Sequence, residues 1–392
     1  MKKYDFILFE HTTVINHQHD LEEIAKLLQC QGKRVAIAEV YNERIYCKDS
    51  TIEHYTFKTP FTDRFLTVDD CRFTPLRFFI NRIKLRRYYK FLRVALAELS
   101  GVSSNIYCGS FFNVNSYNWL KRVPKDVNLF LWGLRSFWLY EYKIRPFTLF
   151  GVYSFFNRNL LSRNTNIRLF VSNEIIRDEY VALGIAPERL IIRPERTINE
   201  LVKSSFSEDG RLRLLTIGSL RPDKRIEMTA EALRIINDDD ISFVIAGSTS
   251  SDPFYEKNIM QATSGLRNVI RMNSRLNDKE YQSIFDECDF LVLCDKQHAS
   301  SVTNGTMNEA LLKGKPIIAP NYNPYKYIID NFGVGISFDD GSIDSLVKAI
   351  QSAKAKGASF FSDAIECYQK TLLVDKVSEK FICDLRKSNI SI

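Results

Sequence analysis

The chain has 392 residues, long for one hydrophobic core and comfortable as two domains. Its 45% hydrophobic and 26% charged residues are those of a soluble globular protein. No segment offers the roughly 20 uninterrupted apolar residues of a membrane span. Its formal charge of +7 is uneven: residues 1–200 carry 30 Lys and Arg against 21 Asp and Glu, the remainder 24 against 26. Much of the excess lies in Arg72–Arg93.

In chain order, Lys3–Phe9 reads as a first buried strand; after Met1-Lys2-Lys3 the run is too short for a signal-peptide core and is ended by Glu10-His11. The loop Glu10–Asp20 holds three of the five histidines, His11, His17 and His19. That spacing lacks the helical pairing of zinc ligands. The loop reads as an acceptor-binding segment with one general base among Glu10, His11, His19 and Asp20, or as a polar loop leading into a helix. Asp20–Gln31 has helical apolar spacing and ends at Gly32, and Arg34–Val40 follows as a second strand. This strand–helix–strand opening predicts a parallel sheet with a right-handed crossover. Arg72–Arg93 has eight basic residues, no acidic one, and interleaved Phe, Tyr, Ile and Leu. Three readings stand: a helix lying on an anionic leaflet, a packed helix with a solvated basic face, or a nucleic-acid surface. The last lacks an accompanying motif. Asn105–Cys108 and Val127–Trp132 are further strands, and Leu169–Ser172 and Leu190–Arg193 flank a helix at Glu174–Leu183. The aromatic stretch Phe137–Leu161 fits no element.

Composition turns polar between Pro194 and Arg211, which marks the domain boundary. Strand and helix then alternate to about Ile350. After the strand Leu212–Ile217, the loop Gly218–Arg225 permits a tight turn at Gly218 and brings Arg221, Lys224 and Arg225 onto one short segment before a helix from Ile226. Ala299–Pro320 reads as a polar turn, a helix carrying Glu309, a stop at Gly314, and a buried strand. A helix start of this kind can hold a phosphate on its backbone amides, or it is an ordinary helix-to-strand unit. Phe361–Leu385 again has helical spacing. The predicted domains are 1–198, 199–360 and a tail, 361–392. Eight cysteines without Cys-x-x-Cys spacing or histidine partners read as reduced thiols of a cytosolic protein.

The segment Glu309-Ala310-Leu311-Leu312-x-Gly314-Lys315-Pro316-Ile317-Ile318-Ala319 resembles the nucleotide-sugar signature of GT-B glycosyltransferases, especially glycosyltransferase family 4. Leu212–Lys224, Ile241–Gly247, Asn268–Leu293 and Leu169–Pro194 resemble further pieces in the same order, so the likeness covers roughly residues 169–350. The resemblance implies an α/β architecture of two Rossmann-like, doubly wound domains facing a cleft. It implies a nucleotide diphosphate sugar as donor, no cofactor and no metal. Gly218 and Lys224 fall on the diphosphate loop. Ser219 stands where the family has arginine, and Arg221 is the substitute two residues later. Glu309 matches the ribose glutamate, and its partner eight positions earlier is Ser301. Thr303, Asn304 and Gly305 fall at the phosphates. The family's N-domain histidine is not evident; at its place stands Trp132-Gly133-Leu134-Arg135, where Arg135 is a candidate for an anionic acceptor or donor phosphate. The expected partners are the donor, a glycan or lipid-linked acceptor and an anionic membrane surface contacted through Arg82, Lys84, Arg86 and Arg87, without nucleic acid. The setting implied is bacterial surface polysaccharide synthesis by a cytoplasmic, peripheral transferase. The alternatives are a GT-B-shaped sugar- or lipid-binding protein and a nucleotide-sugar epimerase.

Overall fold

Short runs rich in Val, Ile, Leu and Phe alternate with amphipathic helices in both halves, and the sheets they form are wholly parallel among the described residues. The computed structural model describes residues 2–10, 18–39, 50–57, 90–108, 123–132, 159, 161, 163, 165–194, 196–203, 206, 209–249, 253–274, 276–297, 304–388 and 390. It divides into two units, Met1–Thr197 with Val374–Ile392, and Ile198–Leu373.

In the first unit, β1 (Phe6–Glu10), β2 (Val35–Glu39), β3 (Glu53–Tyr55), β4 (Asn105–Cys108), β5 (Asn128–Trp132), β6 (Ile167–Val171) and β7 (Leu190–Ile192) pair in the order β3-β2-β1-β4-β5-β6-β7. Successive side chains of a strand point to opposite faces, and here both faces are covered. Phe6 and Leu8 pack with Leu21, Ile24 and Leu28 of the helix Gln18–Gln29. Ile7 and Phe9 pack on the other face with Leu92, Leu96, Ile176 and Tyr180. Glu10 is the last residue of β1 rather than the first of a loop, and His19 and Asp20 lie in the helix, which starts at Gln18 rather than Asp20. The reason is register: Glu10 pairs opposite Glu39 and continues the ladder with β2.

In the second unit, β8 (Leu212–Ile217), β9 (Ile241–Ala246), β10 (Val269–Met272), β11 (Phe290–Val292), β12 (Ile317–Pro320) and β13 (Gly335–Phe338) pair in the order β10-β9-β8-β11-β12-β13. This is the doubly wound strand order, reversing between the first and fourth strands. Ligands of such sheets sit beyond the strand C-termini at that reversal, here the ends of β8 and β11.

The stretch read as one tail forms two helices. Ser362–Lys370 stays in the second unit, where the buried Gln369 donates to the carbonyls of Leu311 and Leu312 at 3.0 and 3.2 Å. Val374–Lys387 belongs to the first unit, and its Val377, Phe381, Ile382 and Leu385 fill the same core face as Phe6 and Phe170. No helix among the described residues is long and apolar enough to cross a membrane.

Phe381 is fully buried, with its ring edge-on to Phe170 at 5.1 Å. Phe381→Ala is expected to destabilise the first unit by about 3–5 kcal/mol, read as a lower midpoint in chemical denaturation.

Candidate functional site

The site residues collect where β8 and β11 end. Gly218 follows β8 at φ +117°, a conformation that favours glycine, and its amide donates to the Ala246 carbonyl at 3.1 Å. Gly247, at φ +123°, comes so close that a Cβ there would lie 1.9 Å from the Gly218 carbonyl oxygen. A Cβ on Gly218 would stand 3.5 Å from Thr306 Oγ1, so the start of the helix Gly305–Leu312 abuts this turn. Beyond Leu220 the chain makes one 3-10 turn, Pro222–Lys224, passes through Arg225 at φ 45°, and enters the helix Ile226–Ile236.

One carboxylate joins these pieces. Asp295, three residues past β11, is buried. Its Oδ2 accepts from Lys224 Nζ at 3.0 Å, Asn304 Nδ2 at 2.5 Å and the Tyr325 hydroxyl at 2.6 Å. Asn304 Nδ2 also approaches the Tyr325 hydroxyl at 2.7 Å. The Asp295 carbonyl accepts from Arg225 Nη2 at 2.8 Å and from the Tyr322 hydroxyl. Burial, and then the Asp295 charge, push the Tyr325 hydroxyl well above its ordinary pKa, so it keeps its proton and donates. The opposite oxygen, Asp295 Oδ1, is buried and has no hydrogen-bond partner among the described residues.

The three cations read as converging instead divide. Arg221 is half-exposed and grips Asp223 with two hydrogen bonds of 3.1 Å. Arg225 turns inward to the carbonyls of Cys294 and Asp295 and to Asp340. Only Lys224, with its side chain 13% exposed, points to Asp295 Oδ2. An uncompensated charge is costly in a half-buried loop, so each cation has found a carboxylate.

The helix Gly305–Leu312 begins at the end of the polar turn, and Asn304, read as a phosphate contact, is its cap. Asn304 Oδ1 accepts from the amides of Thr306 and Met307 at 3.0 and 3.1 Å, which uses two donors that the sequence reading offered to a phosphate. Gly305 is exposed at the helix start. Glu309 is partly exposed one turn on, 3.7 Å from Lys313 Nζ. Below it, Lys315 is buried and donates to the carbonyls of Cys288 at 2.8 Å and Asp286 at 3.2 Å, which closes the end of the helix Asp278–Glu287. Burial lowers its pKa.

At the corresponding edge of the first unit stand Glu10, Glu39, Cys108 and Trp132, the last residues of β1, β2, β4 and β5. Both carboxylates are buried, and His54 Nδ1 lies 3.9 Å from Glu39 Oε2. Burial first, then Glu10, pushes the Cys108 thiol well above its ordinary pKa. The Arg193 guanidinium lies 4.2 Å from the centre of the Trp132 ring. His11, Arg82, Lys84, Arg86, Arg87, Arg135, Ser301 and Thr303 lie outside the described residues, as do the side chains of His19 and Asp20. The residues that sequence reasoning missed are Asp295 and Tyr325. A polar residue ending the apolar run after β11 is the signal that points to the first.

Two expectations follow. Gly247→Ala cannot keep the present contact with Gly218 and needs a strained φ, so it should cost at least about 1–3 kcal/mol, measured by denaturation. For Asp223, burial raises the carboxyl pKa, and the hydrogen bonds and charge of Arg221 outweigh it, so the net value falls below the ordinary 3.8. A depressed carboxyl adds stability above 3.8 that is lost as pH falls through the folded-state value. Stability of the wild type should therefore drop more steeply than that of Asp223→Asn as pH is lowered through about 4.

Residues 197–359 match the family described as "Glycosyl transferases group 1". No curated protein matches the sequence. Among solved structures, Anabaena HepE in complex with UDP superposes with a TM-score of 0.70 at 14% identity, covering 98% of this chain and 100% of that one. WaaG, a glycosyltransferase involved in lipopolysaccharide biosynthesis, gives 0.64 at 14% identity over 98% and 99%. A glycosyltransferase from Rickettsia africae gives 0.64 at 12% identity over the full length of both chains. The chain thus has the GT-B fold of the glycosyltransferases it superposes on, and residues 197–359 match the family of glycosyl transferases group 1.

Proposed function

We propose that this protein is a glycosyltransferase that moves a hexose from a nucleotide diphosphate donor to a glycan or lipid-linked acceptor, in the synthesis of a bacterial surface polysaccharide. The observation that carries the reading is the glycosyl transferases group 1 match over the unit in which Lys224 and the start of the helix Gly305–Leu312 meet at the strand-order reversal. A solved neighbour holds UDP and another serves lipopolysaccharide biosynthesis, which supports a nucleotide donor and a saccharide acceptor.

In this reaction the diphosphate gains negative charge as the glycosidic bond breaks. Lys224 and the positive end of the helix dipole, roughly half an elementary charge, lie fixed beside that position and stabilise the leaving group more than the ground state. Gly218 lets the backbone come close, Arg221 adds charge at the rim, and Gly305 offers its amide. Glu309 takes the ribose hydroxyls, and Ser301 and Thr303 the remaining donor contacts. These groups neutralise the leaving group without a metal. One of Glu10, His11, His19 and Asp20 removes the acceptor proton, and Glu10 stands at the end of β1. The basic segment with Arg82, Lys84, Arg86 and Arg87 brings the enzyme to an anionic cytoplasmic leaflet, and Arg135 serves an anionic acceptor or donor phosphate.

One observation favours a second reading, a sugar- or lipid-binding protein without turnover: Ser219 and Ser301 replace the arginine and glutamate found at these places in the family it resembles. Calorimetry with UDP, GDP and their sugar conjugates separates the two outcomes that matter. Binding of one nucleotide, weakened about tenfold or roughly 1.4 kcal/mol in Glu309→Ala, is the expected result. No binding to any of them would sink the transferase reading.

A further inference from the structure

Lysines that meet phosphate are flexible, and a free one loses rotamer freedom on binding. Lys224 has been ordered beforehand. Among the described residues its ammonium uses one of three hydrogen-bond donors, on Asp295 Oδ2 at 3.0 Å. The same oxygen holds Asn304 Nδ2, whose other side-chain atom caps the helix Gly305–Leu312, and the hydroxyl of Tyr325. The Asp295 carbonyl fixes Arg225, and the Lys296 amide donates to the Asp223 carbonyl at 2.7 Å, so the loop is clamped to the end of β11 by backbone as well as side chain.

A carboxylate retained only for stability should have both oxygens satisfied. Among the described residues, Asp295 leaves Oδ1 buried and without a partner while three donors crowd Oδ2. Local rules are broken in this way where a site, rather than the core, sets the geometry. We propose that Asp295 is a positioning residue. It acts through Lys224 and Asn304 to lock the diphosphate lysine and the helix start into one preformed anion site, so that a diphosphate meets both at once. This inference rests on the nucleotide-donor reading above.

The test is a double-mutant cycle of Asp295→Ala and Lys224→Ala, read by calorimetry with UDP, GDP and inorganic pyrophosphate. Asp295→Ala also removes a negative charge from the site, which by itself favours an anion. Loss of the shared acceptor for Lys224, Asn304 and Tyr325 is expected to outweigh that. Binding of the nucleotide that the wild type accepts, and of pyrophosphate, should weaken about tenfold. In the Lys224→Ala background only the part that acts through Asn304 remains, so the same change should weaken binding clearly less, by about threefold or under. Equal weakening in both backgrounds, as a merely structural role would give, overturns the inference. So does unchanged or tighter binding by Asp295→Ala. If that variant does not fold, Tyr325→Phe keeps the ring and removes one donor to Oδ2. It should weaken binding about threefold in the wild type and not in Lys224→Ala, and equal effects in both overturn the inference as well. A wild type that binds no probe overturns the donor reading and this inference together, whereas a wild type that binds normally but shows no coupling overturns this inference alone.

Discussion

A buried carboxylate must be paired, and in the second unit that requirement organises everything at the end of the sheet. Strand order β9-β8-β11-β12 reverses between β8 and β11, so their following loops part and leave an opening. Asp295 sits on one side of that opening and the loop with Lys224 on the other. Asn304 brings the helix Gly305–Leu312 to the same oxygen, and Tyr325 brings the helix Tyr325–Phe332. Four segments that are separate in sequence are held to one point. The carboxylate is their one shared side-chain partner, so the geometry of the site and the packing of the loops are one problem.

The regular elements were legible because their physics is local. Leu212–Ile217, Asn105–Cys108 and the helix start at Ile226 fall where apolar periodicity and turn residues put them. A helix start at the polar turn before Glu309 was legible from its Ser, Thr, Asn and Gly, though not that Asn304 is the cap. The partners of Lys224, Lys315 and Gln369 were not legible, because each bond is to a segment 27 to 71 residues away in sequence. Arg221 and Arg225 illustrate the same limit from the other side. Adjacent cations in a sequence look like a concerted patch, yet Arg221 is claimed by Asp223 two residues away and Arg225 by Asp340, which no local pattern couples to it. Glu10 shows how one residue of register matters: one more rung of the ladder with β2 moves it from a loop into a buried strand end beside Glu39.

The helix that carries Glu309 is held at both ends by groups outside it. Asn304 and Asp295 fix its start, and Gln369 satisfies the carbonyls of Leu311 and Leu312 at its end. Gln369 also accepts from the Val202 amide, which ties the segment entering the unit to the one about to leave it. Lys315, in the turn that follows, uses its ammonium for helix carbonyls rather than for ligand, the placement expected of a cation at a helix C-terminus. Two lysines of one unit thus take opposite tasks, and burial distinguishes them. Lys315 is 1% exposed and bonded to two backbone carbonyls, whereas Lys224 keeps a 13% exposed side chain.

That contrast bears on how such a site can stabilise a leaving diphosphate. A loop with three unpaired cations would attract anions strongly in the ground state but would have to reorder its side chains as charge develops. In the present arrangement the charges of Arg221, Lys224 and Arg225 are each compensated before any ligand arrives. For the proposed reaction net attraction would be lower, and the gain would come from orientation: an ammonium already aimed, beside the helix dipole. Preorganised dipoles and charges are what discriminate a transition state from a substrate, because they need no reorganisation at the moment of bond breaking. A paired lysine is therefore a better leaving-group partner than a free one, provided its counterion is itself immobile. Burial, Tyr325 and Asn304 supply that immobility to Asp295.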